Sequence, residues 1–516
     1  MSYDFFVPDE QQGDSFVIPT PPEREFSALE SAFAWICVII GFLFCQTANS
    51  LQLFSVHILM LGVSAFVLYK KGVKFGFKPV FFSILSLAFG FSTLVTVEWV
   101  SLLAILCAFV SYCAFVYTAT DNAIGAPCRD LLPLNLLRAL KSINIGEWGN
   151  SFRAMFSRGK KSFKALFTVV LGLFVAIVPT MIVVMLLSYD GGFVKLLENS
   201  FSFVGNFSLL AFIRSVIFGT LFGLYVFGIY CLNTQPRKEV NIDEKVRVLE
   251  SARCAPMLFI GAALFPLTVV YIFFFVSQWQ YYVSGFSGVL PAGVINYAEY
   301  ARSGFFELCS VSGINFLILA AVALLLKRED KAGKLFLKVV SLLFSVMTLV
   351  LIGTAMAKMA LYINRFGLTE KRVLSSWFMV LLAIIFVIII LRQLSDKIKL
   401  FTCSAAACAV MILVLVFSNY TGVIASYNVN MFISGNSDEI DTIELVNLGV
   451  SAVPAMISYA EYCEEIGFDG ISYQRVCAEL KHYKEEFAEE DKKISLSFSF
   501  PEHRARNALE EYYAGK

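Results

Sequence analysis

The chain has 516 residues, of which 58% are hydrophobic and only 16% are charged, and its mean hydropathy is +0.72. This apolar share exceeds what one soluble core can bury, so the composition excludes an ordinary soluble domain and predicts the lipid bilayer as a partner. The formal net charge of +1 offers no strongly basic surface, so no nucleic acid is expected to bind.

Residues 1–30 are the first predicted segment, an acidic N-terminal tail. The segment has Asp and Glu residues but no basic region ahead of an apolar run, so we do not interpret it as a cleavable signal peptide. Its composition is typical of a disordered tail.

Residues 31–417 are the predicted transmembrane helical bundle. A spanning helix needs about 20 mostly apolar residues. Eleven runs approach or meet this length: Ser31–Cys45, Leu51–Leu68, Pro79–Val97, Val100–Thr118, Ala165–Leu187, Ala211–Leu232, Pro256–Val276, Gly304–Leu326, Leu337–Ala357, Val373–Leu391 and Leu400–Phe417. The sequence therefore predicts an all-α, polytopic fold of about 11 spans.

The distribution of basic residues predicts the orientation of these spans. Lys and Arg concentrate in the loops that follow the second, fourth, sixth, eighth and tenth runs, and few lie in the other loops. Loops rich in Lys and Arg stay in the cytoplasm. The N-terminus is therefore predicted inside and the C-terminus outside.

Residues 418–516 are predicted to form a small, mainly helical, acidic domain outside the lipid, because no further spanning run occurs there. One helix is indicated by apolar residues at helical intervals: Tyr473, Val476, Leu480, Tyr483 and Phe487. A second helix is predicted over Ile440–Leu448. A domain of this size can bury only a modest core. We therefore expect it to dock on the membrane part or on a protein partner that lies in the membrane or outside the cell.

Cysteine and histidine usage gives no metal site. The chain has 12 Cys and 3 His but no CxxC spacing, so no metal ligands are predicted. Cys463 and Cys477 are the only thiols of the C-terminal domain, and whether they form a disulfide stays open, since sequence separation says little about distance. No nucleotide-binding loop or hydrolase motif occurs, so we predict no catalytic residue and no cofactor.

The predicted polar cluster lies where the chain enters the eighth span. Ionisable residues at membrane depth are costly and mark functional sites by default. Glu299 and Arg302 can pair along a helix, and the deeper Glu307 needs a cation from the next outer loop. The cluster comprises Tyr297, Glu299, Tyr300, Arg302, Glu307, Lys358 and Arg365. It is either an outward-facing polar pocket or a set of interfacial anchors and structural ion pairs.

The sixth span has a GxxxG motif at Gly219 and Gly223, which predicts close packing against another helix. Pro179 and Pro266 interrupt the fifth and seventh spans. Such prolines occur both in simple kinks and in the broken helices of transport sites.

Three blocks of the sequence resemble a known family: NYAEYARSGFFELCSVSGINFLIL, RFGLTEKRVLSSWFMVLLAIIF and SNYTGVIASYNVNMFISGNSDEIDTIELVNLGVSAVPAMI. They are similar to bacterial membrane proteins of the domain of unknown function 4173 group and the related 4153. The most specific block includes Tyr297, Glu299, Tyr300, Arg302, Gly304, Phe305, Phe306 and Glu307. The resemblance implies a many-helix protein of the bacterial cytoplasmic membrane and brings no reaction with it.

These observations leave several hypotheses for function. The leading one is a non-enzymatic, multi-pass membrane protein with a sensory, regulatory or scaffolding role, in which the outer domain binds or reports on something. The first alternative is a secondary transporter or lipid-handling protein, suggested by the span count and the polar cluster. An intramembrane enzyme is the second alternative, and it would need facing acid and base groups at membrane depth.

Overall fold

The structure is a computed structural model that describes residues 25–46, 49–96, 100–120, 130, 132, 135, 148–156, 183, 209–234, 253–277, 305–327, 331–395, 397–437, 439–490 and 498–515. Within these residues the chain forms sixteen α-helices and no sheet, which confirms the all-α fold class. The helices are α1 Ala28–Gln46, α2 Ser50–Lys70, α3 Phe77–Ser92, α4 Val100–Ala119, α5 Trp148–Phe156, α6 Leu209–Thr234, α7 Met257–Ser277, α8 Phe305–Leu325, α9 Lys331–Phe366, α10 Glu370–Leu394, α11 Leu400–Phe417, α12 Tyr420–Ile433, α13 Thr442–Asn447, α14 Val453–Glu465, α15 Ile471–Glu490 and α16 Phe500–Ala514.

The predicted spans coincide with these helices. Eight described helices are long and apolar enough to cross a membrane, and two shorter apolar helices, Phe77–Ser92 and Cys309–Leu325, fall on two further predicted spans. The remaining predicted span, Ala165–Leu187, lies outside the described residues except for Val183. The protein is therefore a membrane-embedded, polytopic helical bundle.

Helix α9 is longer than its predicted span, Leu337–Ala357. It contains 36 residues and continues beyond that span through Lys331 and Lys334 at one end and Arg365 at the other. Lys and Arg favour the helical conformation although they lower hydropathy, so apolarity marks only the central part of such a helix. The additional turns extend beyond the predicted lipid-embedded length.

One compact unit of the chain comprises residues 1–42 and 145–231. In it, α1 and α6 approach until their backbones touch, because a Cβ added at Gly223 would lie 2.5 Å from Val38 Cα and one at Gly219 would lie 2.6 Å from Phe42 Cα. The predicted GxxxG motif therefore lies at this helix contact, and Gly41 of α1 lies opposite Gly219 of α6. Ring contacts between Phe33 and Tyr230, 5.1 Å between centroids, extend this interface.

The short helix α5 belongs to the same unit and packs on both of these helices. Ser151 Oγ donates a hydrogen bond to Leu224 O at 3.1 Å, and Trp35 Nε1 donates one to Met155 O at 3.2 Å. Ser151 and Ala154 are fully buried. Small residues therefore let the helix lie close to α6.

The other unit comprises residues 43–144 and 232–516. Helix α3 packs on α4 and α11, and the consecutive helices α8, α9, α10 and α11 pack each on the next. Short connections between these four helices make neighbours antiparallel.

Contacts at the helix ends of this unit follow the predicted alternation. Asp130, in the loop after α4, accepts hydrogen bonds from Phe401 N at 2.7 Å and Thr402 N at 3.2 Å at the start of α11. At the other end of α11, Thr96 Oγ1 donates to Val416 O. Both Asp130 and the start of α11 are predicted inside, and both Thr96 and the end of α11 are predicted outside. Each contact thus joins segments assigned to the same side.

Helices α12 to α16 follow the bundle and share its core. The predicted apolar face of α15 is confirmed, because Val476 and Leu480 are fully buried. The second predicted helix is confirmed as α13, whose N-terminus is capped by Asp441 through Ile443 N and Glu444 N at 3.0 and 3.1 Å. The hydrophobic core that contains these helices also includes Val100, Ala104, Leu415 and Val416 of α4 and α11.

Candidate functional site: polar groups inside the helical bundle

The predicted charged cluster lies only partly within the described residues. Tyr297, Glu299, Tyr300 and Arg302 lie outside them, and so does the side chain of Glu307, whose backbone forms the first turn of α8. The sequence predicts Lys358 and Arg365 in an outer loop, but both lie on α9: the side chain of Arg365 is exposed, whereas Lys358 has only 7% of its surface exposed. The cluster as a whole stays a prediction.

The helix pair α8 and α9 nevertheless places Glu307 and Lys358 at similar depth. Asn315 Nδ2 donates a hydrogen bond to Thr348 Oγ1 at 2.9 Å, so these residues mark a common level of the antiparallel pair. Glu307 lies eight residues from Asn315 and Lys358 ten residues from Thr348 in the same direction, about 12 and 15 Å at 1.5 Å per residue. Half of the hydrocarbon thickness is also about 15 Å. Asn315 is central in α8, so the backbone at both positions lies about half a hydrocarbon thickness from the middle of the helix pair.

An uncharged chain of polar groups crosses three helices deeper in the bundle. Tyr271 of α7 donates its hydroxyl proton to Asn315 Oδ1, and Asn315 donates to Thr348 of α9. Asn315 and Thr348 are fully buried, and Tyr271 is nearly so. Each residue comes from a different helix, so the chain connects α7, α8 and α9 near their middles.

The donor and acceptor of each hydrogen bond in this polar chain follow from the bond that Thr348 donates. Thr348 Oγ1 donates to Phe344 O at 2.6 Å, so it accepts from the Asn315 amide nitrogen, and the amide oxygen must face Tyr271. Each of these three donors has an acceptor. Ser345 Oγ, one turn from Thr348, is buried without a hydrogen-bond partner among the described residues. The hydrogen bonds of this polar chain therefore stabilise the packing of the three helices. The Ser345 hydroxyl lies buried beside them.

A second polar group connects α2, α3 and α4. His57 Nε2 lies 2.9 Å from Ser86 Oγ, which donates its proton to Ala108 O at 2.8 Å. Ser86 has one proton to give, so the His57 nitrogen facing it must be protonated. A Cβ at Gly90 would lie 2.8 Å from the His57 ring, so this glycine makes room for the imidazole.

A side-chain clamp joins α12 to the turn between α9 and α10. Asn428 Oδ1 accepts from Leu368 N at 2.7 Å, and Asn428 Nδ2 donates to Leu368 O at 2.8 Å. Gly367 adopts φ +73°, and a Cβ there would collide with the Asn428 amide, so a larger residue would be strained for two reasons. Tyr420 Oη donates to Glu370 Oε1 at 3.2 Å. These contacts connect the C-terminal helices to the ends of two spans.

Within the C-terminal helices, one carboxylate accepts hydrogen bonds from two phenol hydroxyls. Tyr473 Oη and Tyr512 Oη donate to Glu464 Oε1 at 3.0 and 2.8 Å, so α14, α15 and α16 meet there. A hydrogen bond to Cys477, burial and the nearby Glu464 carboxylate raise the pKa of Tyr473 above its ordinary value. Cys463 is buried in the same core, Cys477 packs against it, and both are free thiols.

Sequence reasoning missed the neutral groups because it searched the spans for charges. Asn315 is the single amide in the α8 run CSVSGINFLILAAVALL, and His57 is the one histidine within a predicted span. A search for any polar side chain in the middle of an apolar run would have found both. Asn315 and His57 lie 29 to 44 residues from their side-chain partners in the sequence, and no motif describes such separations.

Comparison with known proteins gives one positive finding. Residues 58–459 match the family described as Domain of unknown function (DUF4153), which agrees with the family group indicated by the sequence blocks. No curated protein and no solved structure matches the chain.

Proposed function

The chain belongs to the family described as Domain of unknown function (DUF4153), and we propose on this premise that it is a sensory or regulatory protein of the bacterial cytoplasmic membrane. In this proposal it is a non-enzymatic, multi-pass protein with the N-terminus inside and the C-terminus outside. Helices α12 to α16 receive a signal outside the cell, and the bundle transmits it.

The observation that supports a relay is the shared core of the C-terminal helices and the spans. Leu415 and Val416, in the last turn of α11, are packed with Tyr420, Ile424 and residues of α14 and α15 in one buried cluster. Packed cores transmit strain because they have few voids to absorb it. A displacement of α14 or α15 would therefore reach α11 through the packed side chains of this cluster.

The predicted topology is supported by two arguments, the first for the orientation and the second for the alternation of the spans. The distribution of Lys and Arg favours the N-terminus inside. Contacts such as Asp130 with Thr402 and Phe500 N with Leu94 O, 2.9 Å, join ends that this orientation puts on one side. Labelling with an impermeant thiol reagent in whole cells tests it, on a cysteine-free background. We expect Ser437→Cys to react and Ser157→Cys not to react.

The relay is tested by loosening the clamp at Asn428 in protein reconstituted in nanodiscs. We expect Asn428→Ala to raise amide hydrogen exchange at the end of α9, the start of α10 and the last turns of α11. Asn430→Ala is the matched control, because Asn430 is exposed on the same helix. Exchange that rises only within α12 would contradict the relay.

A secondary transporter is the second candidate, favoured by the polar chain at mid-depth between α7, α8 and α9. In this proposal Asn315 and the buried Ser345 hydroxyl contact a small polar solute during passage. Flux of ions, amino acids and sugars into proteoliposomes tests it. Flux that Asn315→Leu abolishes would favour transport over the sensory role, whereas no flux with any of these solutes counts against transport.

A further inference from the structure

The exposed apolar residues of the C-terminal helices concentrate at one end. Among the described residues beyond Phe417, the large apolar side chains with most exposure are Val423, Ile443, Ile466, Phe468, Ile471 and Phe500. Val423 lies on α12 beside the spans, and Phe500 packs its ring 6.0 Å from that of Phe91 on α3. Ile466, Phe468 and Ile471 lie in or beside the turn between α14 and α15, and Ile443 lies on α13. We call Ile443, Ile466, Phe468 and Ile471 the distal patch.

The distal patch is held together by defined contacts. Arg475 Nη1 donates to Thr442 Oγ1 at 3.0 Å, so α13 lies beside the first turns of α15. Ile443 follows Thr442 in the chain, and Ile471 lies one helical turn before Arg475. Ile471 is 77% exposed and Ile443 56%. Two helices therefore present apolar side chains at the same end.

The turn that carries Phe468 is ordered by its backbone. Gly467 adopts φ +68°, Gly467 N donates to Glu464 O at 3.2 Å, and Phe468 N donates to Cys463 O at 2.8 Å. This is the Schellman arrangement that ends a helix in a fixed conformation. The Phe468 ring packs over Gly470, where a Cβ would collide with it. A surface fixed in advance loses little conformational entropy on binding.

The distal patch lies far from the bundle along α16. Phe500 N bonds Leu94 O at the end of α3, whereas Tyr512 Oη bonds Glu464, beside the turn. Twelve residues separate these contacts, which is about 18 Å of helix. The described part of the bundle therefore does not cover the patch at this end.

Charge around the distal patch selects the kind of occupant. Segments 439–447 and 461–475 contain Glu439, Asp441, Glu444, Glu461, Glu464, Glu465 and Asp469 but a single basic residue, Arg475. An acidic rim is repelled by anionic lipid headgroups, and it would meet another acidic rim in a symmetric dimer. A surface with Lys and Arg around an apolar socket would complement it.

We propose that the distal patch is the docking site for a second protein, whose surface presents an apolar socket rimmed by Lys and Arg. The proposal deepens the sensory role and rests on it for the side of the membrane. Phe468 and Ile471 are the apolar anchors, and Glu465 and Asp469 supply the attraction. Because the attraction is electrostatic and exposed, docking weakens as salt rises.

Photo-crosslinking of the full chain in cells tests this docking site. A benzophenone amino acid replaces Phe468 or Ile471, with Lys481, an exposed position further along α15, as control. We expect one protein adduct from the two patch positions, absent at Lys481, whose crosslinked peptide contains apolar and basic residues. With that protein purified, Phe468→Ser should weaken binding about tenfold or more, as for an interface anchor. Glu465→Lys with Asp469→Lys should weaken binding and remove its salt dependence.

Four other results would overturn the docking site. These are adducts with lipid alone, adducts of the chain with itself, no adduct beyond that of Lys481, and binding that the charge reversal leaves unchanged. The sensory proposal has a separate readout in the exchange of α9, α10 and α11. If that exchange responds to Asn428→Ala while the crosslink fails, only the docking site is wrong.

Discussion

At the scale of single residues, Asn428 uses both ends of its amide on one neighbour. Asn428→Ala leaves Leu368 N–H and C=O, which are partly buried, without these bonds. We expect a loss of about 1–3 kcal/mol, measured as a lower unfolding temperature of the purified protein. Asn428→Asp should also destabilise, because a carboxylate oxygen would face Leu368 O. Equal destabilisation by the exposed control Asn430→Ala would contradict this role.

Tyr483 of α15 makes stability depend on alkaline pH. Burial, with the Glu479 and Glu486 carboxylates, raises the pKa of Tyr483 from 10.0 to about 12. A pKa raised on folding favours the neutral phenol, so its contribution is complete below pH 10 and is lost between pH 10 and about 12. The phenolate absorbance that Tyr483→Phe removes should appear near the upper value. Appearance near pH 10 would show that Tyr483 is solvated.

At the scale of helices, the contact of α1 with α6 depends on the absence of side chains. Gly223→Ile would place carbon atoms against the Val38 backbone, which cannot move aside as a side chain can. Overpacking costs about 1–3 kcal/mol, and we expect a value at the upper end. Gly313→Ile on α8 is the matched control, since no atom of the described residues lies within 4 Å of a Cβ there. The unfolding temperature in nanodiscs distinguishes the two variants.

The polar chain between α7, α8 and α9 should behave as one unit. Asn315→Leu removes two hydrogen bonds between helices, and such bonds contribute about 0.6 kcal/mol on average and at most about 1.7. We expect a loss of about 1–2 kcal/mol. Tyr271→Phe should cost less alone and add nothing in the double variant, because its acceptor is already gone. Additive losses would mean that Tyr271 stabilises the bundle independently.

Span positions were predictable at this scale, but helix partners were not. The run Leu400–Phe417 coincides with α11 at both ends, because apolarity and length are local properties. The GxxxG motif of α6 predicted close packing without indicating α1, since Gly41 lies far away in sequence. For α9, Lys and Arg lower the hydropathy of both ends, so the predicted span omitted six residues at its start and nine at its end.

At the scale of the molecule, the shared core predicts that the C-terminal helices do not separate from the bundle. A protease site inserted at Ser437, between α12 and α13, cuts the chain while the core remains. We expect both fragments to elute together in mild detergent, because α12 packs on α14 and Phe500 bonds Leu94. Met456→Asp, at a fully buried position of α14, should release the fragment. Release from the unaltered protein would make the residues after the cut an independent domain.

The sequence by itself determined that this is an all-α membrane protein and where its described spans lie. Lipid requires each spanning segment to satisfy its own backbone hydrogen bonds, so the evidence for a span is contained within about 20 consecutive residues. Only the tertiary structure decided that Tyr271, Asn315 and Thr348 meet, and that α4 and α11 share a core with α14 and α15. Such contacts join residues far apart in the chain, and no fixed spacing in one sequence encodes them.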